Sequence, residues 1–204
     1  VRGGAIALIS LYVTHGSTPL THVAAIGAFG ALALTVGLSW LVLALARFSG
    51  FASEEAFYLL AVPQIDLSGL LLAGVVLGAI GALDDVTVTQ ASTVWEVRAA
   101  NESLSATELF AAGLMVGRDH IASTVNTLLL AYAGAALPLL ILFSLSGMRL
   151  GFIVSSEVVA VEIVRTLVGS IGLVAAVPLT TYLAARTAAS LPRSAVVSEV
   201  ESLG

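Results

Sequence analysis

Few side chains in this sequence can do chemistry, and most of them fall in three places. The first holds Asp84 and Asp85, followed by Thr89, Ser92 and Glu96. Asp85, Thr89, Ser92 and Glu96 recur at i, i+4, i+7 and i+11, which is one face of a helix. The second holds Arg118, Asp119, Ser123 and Asn126, and its last three members obey the same rule. The third is Glu162 with Arg165, one turn apart, with Glu157 behind them. A carboxylate in such a set takes a proton or a cation, and a guanidinium neutralises it. Adjacent carboxylates can share a proton, but neighbours on a helix point about 100° apart. Asp84 and Asp85 are therefore expected to have different partners.

Other chemistries find little support. His15, His22 and His120 are scattered, with no second ligand at helical spacing, so no metal site is expected. The absence of cysteine excludes disulfides and thiolate ligands. There is no P-loop, no G-x-S-x-G and no HExxH, and no serine has an evident base beside it. Neither an enzyme nor a cofactor is expected. The net charge of −5 does not suit nucleic acid, which wants a basic face. All eight basic residues are arginine.

The elements that must position these residues are apolar helices. Hydrophobic residues make up 58% of the chain and charged residues 10%. A soluble domain carries about 25% charged residues, and several runs here approach the roughly 20 apolar residues that cross a hydrocarbon core. The runs are continuous and not alternating, which argues against a β-barrel. The expectation is an all-α, polytopic transmembrane bundle with about four full spans. Residues 1–190 form a single transmembrane domain and 191–204 a polar, frayed tail.

In order, residues 3–14 are too short to span and read as the second half of a helix that begins upstream. The start at Val1 fits the C-terminal part of a longer protein. Thr18 and Pro19 open the first complete span, 20–46, which ends at Arg47. Ser53, Glu54 and Glu55 open a short helix, 54–62, stopped by Pro63 and expected to be interfacial or re-entrant. Asp66 caps the central helix, whose Gly74, Gly78 and Gly81 provide a smooth side for close packing. Run unbroken to Arg98, it is about 48 Å long at 1.5 Å per residue, more than a hydrocarbon core of about 30 Å. Either Asp84 and Asp85 lie near the membrane edge or the helix breaks there. Ser105 and Glu108 form a capping box for an amphipathic segment, 105–117, that lies on the membrane or dips into it. A span at 121–145 should bend near Gly134 and Pro138. Ser155 or Ser156 caps the last helix, 157–188. AALPL at 135–139 echoes AAVPL at 175–179, a faint sign of an internal repeat. Arg98, Arg118, Arg186 and Arg193 fall on one side and Arg2, Arg47 and Arg149 on the other, which places the C-terminus in the cytoplasm.

LLLAGVVLGAIGALDDVTVTQAS (70–92), ELFAAGLMVGRDHIASTVNTLLLAYAGAALPLLILF (108–143) and EVVAVEIVRTLVGSIGLVAAVPLTTY (157–182) resemble the YibE/F-like multispanning membrane proteins. The resemblance covers most of 66–185. Its matching polar positions are Asp85, Arg118, Asp119, Asn126, Glu162 and Arg165, while Asp84 stands where an apolar residue is expected. It implies a bacterial cytoplasmic membrane protein whose relatives carry an extra N-terminal portion, and it assigns no reaction or substrate.

Two functions compete. In the first, a transporter or permease, Asp85, Arg118, Asp119, Ser123 and Asn126 line a polar pathway and Glu162 with Arg165 forms a second, gate-like pair. An Asp85–Arg118 ion pair would neutralise two charges that are costly to bury. In the second, a scaffold or assembly subunit, the same charges clasp helices together. An intramembrane hydrolase has least support. The expected partners are the lipid bilayer and either further copies of the chain or other membrane subunits.

Overall fold

Helix caps written into the sequence set most of the architecture. The computed structural model describes residues 2–49, 58 and 66–201. Within them run α1 (Arg2–His15), α2 (Pro19–Ala46), α3 (Leu67–Ala100), α4 (Ala106–Ala135), α5 (Leu137–Leu145), α6 (Leu150–Ser155), α7 (Glu157–Ser190) and α8 (Arg193–Glu201). Thr18 accepts the Thr21 N–H at 3.2 Å, and Pro19 sits in the first turn of α2. Asp66 accepts the Ser68 N–H at 3.1 Å to open α3. Ser105 and Glu108 make the expected reciprocal capping box at α4. Gly16 and Gly147 turn the chain at positive φ, where a side chain is strained.

Among the described residues, three helices are long and apolar enough to cross a bilayer: α2, α3 and α7. The pair α4 and α5, bent by 53°, makes a fourth if it is one span. The bend falls at Ala136, between the expected Gly134 and Pro138, because Pro138 has no N–H for the preceding turn. The fold class is therefore the expected helical membrane bundle, with one change and one of two alternatives settled. Residues 105–117 are no separate surface helix but the first turns of the continuous α4. The central helix is unbroken to Ala100, which leaves the membrane-edge reading of Asp84 and Asp85. The expected short helix at 54–62 lies, apart from Tyr58, outside the described residues.

Helices α2, α3, α4 and α7 alternate in direction, and α7 packs on all three others. One end, here the near end, carries the α1–α2 turn, the α3–α4 loop and α8. The far end carries Arg47, Asp66 and Ser156. Large apolar side chains face outward along α2 (Trp40, Leu45), α4 (Leu129, Leu130) and α7 (Leu167, Ile171). With no water to drive these faces together in lipid, packing rests on close approach of small residues. Here the approach is reciprocal. Gly27 of α2 receives Thr180 of α7, and Gly172 of α7 receives Thr35 of α2. Ala31 and Ala176, midway between these sockets, are fully buried. A second tight seam joins α3, α4 and α7. Gln90 donates to the Gly113 carbonyl at 2.7 Å and to Thr181 Oγ1 at 2.8 Å.

The near end is closed by a buried carboxylate. Glu199 Oε1 accepts the Leu20 N–H at 2.8 Å, and Glu199 Oε2 accepts Trp95 Nε1–H at 2.9 Å. An acceptor suits the start of α2, where N–H groups lack intrahelical partners. Val196 and Trp95 are fully buried beside it, together with Leu20 and Leu109. Residues 193–201 are thus a docked helix, where the sequence suggested a frayed tail; alternate apolar and acidic residues hid a buried face only two turns long.

A β-carbon at Gly117 would lie 2.5 Å from Val177 Cγ1 and 2.8 Å from Gln90 Oε1, whereas one at Gly81 meets nothing within 4 Å. Gly117→Ala should therefore cost about 1–3 kcal/mol by overpacking, and Gly81→Ala should be neutral or stabilising. Thermal unfolding in detergent measures both. Glu199→Ala strands two buried donors, at about 1–3 kcal/mol each. It should lower the same midpoint and red-shift the Trp95 emission.

Candidate functional site

Glu162 and Arg165 lie on α7, one turn apart, because i and i+3 share a helical face. Arg165 Nη1 reaches Glu162 Oε1 at 3.1 Å and Oε2 at 3.3 Å. Both side chains are mostly shielded, 25% and 30% exposed. Tyr132 of α4 closes the site from the other side, with the Arg165 guanidinium 6.0 Å from its ring centroid, within cation–π range. The Nε of Arg165 is buried without a hydrogen-bond partner. The guanidinium is thus held by a carboxylate and a ring, with donor capacity to spare.

Gly74 and Gly78 of α3 provide the floor. A β-carbon at Gly78 would come within 2.7 Å of the Tyr132 hydroxyl, and one at Gly74 within 3.7 Å of Arg165 Nη2. Gly78 therefore makes room for the Tyr132 hydroxyl, while Gly74 leaves ordinary contact distance to Arg165. Beside them a groove of about 270 Å³ runs between α4–α5 and α7. Leu129, Ala133, Leu140, Ile163 and Leu167 make its walls, while Tyr132, Glu162 and Thr166 are its polar members. Thr166 satisfies its hydroxyl internally, donating to the Glu162 carbonyl at 2.9 Å. The bend at Ala136 lies in the lining of this groove, with Leu139 and Leu140 of α5 beyond it.

The other set is not assembled. Asp85, Arg118, Asp119, Ser123 and Asn126 are all exposed on the chain's outer surface. The salt bridges among the described residues are Arg165–Glu162 and Arg193–Glu102, so the expected Asp85–Arg118 pair does not form. The reason is helical phase. On α3 the inward positions are Leu83, Val86, Gln90 and Val94, and on α4 they are Leu109, Gly113 and Gly117. Asp85 and Asp119 fall on other faces of the same turns. The spacing rule placed Asp85, Thr89 and Glu96 correctly on one face, but that face points out. Asp84, beside it, is partly buried.

Sequence reasoning missed Tyr132, Gln90 and Glu199. Tyr132 was visible as the lone aromatic in an apolar stretch ahead of the bend. Gln90 was visible as an amide among β-branched residues. Nothing in the sequence joins Glu199 to Leu20, 179 residues away.

No curated protein and no solved structure matches the chain. The family model described as YibE/F-like protein matches residues 1–190, which takes in α1 and α2 as well as the Glu162–Arg165–Tyr132 site. With nearly its whole length matched, this membrane-embedded helical chain belongs to the YibE/F-like family.

Proposed function

We propose that the protein is a permease-type subunit of the bacterial cytoplasmic membrane, with its C-terminus in the cytoplasm, and that its polar route runs past Arg165, Glu162 and Tyr132. The supporting observation is a shielded ion pair whose Glu162 lines a groove beside a helix bend among lipid-facing helices. Charges within an apolar belt are costly, and they characteristically mark ion or solute paths. Arg165 offers a fixed cation with an unused donor, and Glu162 offers a proton acceptor one turn away. A small anion or acid meeting Arg165 would compete with Glu162 for it, and the released carboxylate would take a proton. No covalent chemistry enters this reading.

Moving the route from the outward Asp85 and Asp119 to Arg165 changes what mutations should do. In liposomes loaded with candidate small anions and cations, Arg165→Gln and Glu162→Gln should each lower flux by about tenfold or more. Asp85→Asn should leave it within about twofold. Gly78→Ala, which pushes on the Tyr132 hydroxyl, should lower flux with little loss of thermal stability, while Gly74→Ala should be silent.

A scaffold role is the second reading, and the outward Asp85–Thr89–Glu96 face favours it, since a polar face on a helix that continues beyond the apolar belt suits a protein partner. It predicts no flux of any solute, and loss of a co-purifying subunit on Glu96→Ala. Flux that persists unchanged in Arg165→Gln would remove the permease route proposed above.

A further inference from the structure

The threonine–glycine exchange between α2 and α7 has a counterpart in the sequence. VAAIGAFGALALTVGL (23–38) and VGSIGLVAAVPLTTYL (168–183) share V-x-x-I-G-x-x-x-A-x-x-L-T-x-x-L, seven identities in sixteen positions at a constant offset of 145. The two segments run antiparallel. Ala31 and Ala176 hold equivalent positions between the sockets, with Gly27 facing Thr180 and Gly172 facing Thr35. A two-fold axis in the membrane plane generates this exchange. It is the relation between the inverted repeats of transporters, where one repeat rocks against the other.

The equivalence fails at two neighbouring places, both on α7. Pro178 stands where α2 has Ala33, inside an otherwise continuous helix. It leaves the Val174 carbonyl without its helical N–H, and helices bend at such sites. Thr180, the counterpart of Thr35, is fully buried, yet its hydroxyl has no hydrogen-bond partner among the described residues. Thr35 donates to the Ala31 carbonyl at 2.8 Å. The equivalent acceptor for Thr180 is the Ala176 carbonyl. Seated over Gly27, Thr180 forgoes that bond, and an unmade buried bond brings a second arrangement close in free energy. Anchoring also differs on the two sides of Pro178. On the near side, Thr181 is bonded to Gln90 at 2.8 Å, and Ala184, Ala185 and Ala188 are buried. On the far side, no residue from 162 to 167 is buried, and the tip carries an exposed hydrogen bond from Ser49 to Glu157 at 2.6 Å.

We propose that α7 hinges at Pro178. Its far half, which carries Glu162 and Arg165, swings against α2, while its near half stays fixed to α3 and α4. Arg165 and Tyr132 lie on different helices, so the swing changes their spacing and the width of the groove between α4–α5 and α7. In the other position Thr180 lifts from Gly27 and gains the Ala176 carbonyl. As the means by which the route past Arg165 opens, the hinge rests on the permease reading; as a motion it stands apart from it.

The chain has no cysteine, so paired spin labels can be placed without background. Leu41→Cys with Leu167→Cys reports the far half, and Ile26→Cys with Tyr182→Cys the near half; all four positions are exposed. In proteoliposomes, double electron–electron resonance should give two distances for the far pair and one for the near pair. Pro178→Ala, which supplies the missing N–H, should leave the far pair with one distance. Thr180→Val removes the orphaned hydroxyl and should shift the far-pair populations about fivefold or more toward the seated arrangement. Thr35→Val should produce no such shift. The hinge is overturned by a single far-pair distance in the unaltered chain, by equal spread in both pairs, by two distances that persist in Pro178→Ala, or by Thr35→Val acting as Thr180→Val does. The labels need no transported solute. Two far-pair distances in a chain that carries no flux would therefore remove the permease route alone, and a single distance with Arg165-dependent flux would remove the hinge alone.

Discussion

Everything in this bundle depends on how closely α2 and α7 can cross. Lipid gives apolar helices no reason to prefer each other, so association has to come from contact at short range. The crossing achieves this by exchange: each helix offers a threonine and each accepts one over a glycine, on either side of Ala31 and Ala176. Thr35 keeps its hydroxyl bonded to the Ala31 carbonyl while it does so, at 2.8 Å. Helices α3 and α4 are laid against this pair, and α7, which packs on α2, α3 and α4, carries Arg165 and Glu162. The candidate site is therefore carried on a helix of this tight crossing, while one wall of its groove, α5, follows a bend and has few neighbours.

The polar residues sort into three physical situations. Gln90, Thr181 and Glu199 are buried and hydrogen-bonded, and they tie helices. Arg165, Glu162 and Tyr132 are half-shielded beside open space, which is where reactive or binding groups stay responsive. Asp85, Arg118, Asp119 and Asn126 are turned outward, and whatever satisfies them lies beyond a single chain. A charge count alone would have merged these groups, although the energetics of each are different.

Much of the fold could be read from local signals, because local signals are what end helices. Thr18-Pro19, Asp66, Ser105 with Glu108, and Gly147 each do what their chemistry allows. The continuous run from Ala106 to Ala135 was harder. Gly113 and Gly117 weaken a helix in isolation, and only the tight seat against Gln90 and Val177 explains why they extend one. The site was legible in part. The pairing of Glu162 with Arg165 follows from spacing within one helix. Which face of α3 or α4 points inward does not, since both faces of those segments carry small and polar residues. Long-range partners such as Glu199 and Trp95 leave no periodic trace at all.

The tie between Glu199 and the first turn of α2 also bears on how the chain is made. Segments enter the membrane one after another as they leave the ribosome, and α2 precedes the residue that caps it by nearly the whole chain. Until α8 has emerged, the opening N–H groups of α2 must rely on Thr18, water or lipid headgroups, and the indole of Trp95 has no acceptor from Glu199. Insertion and completion are then separate events. A nascent chain can be threaded through the bilayer yet still lack its last fastening.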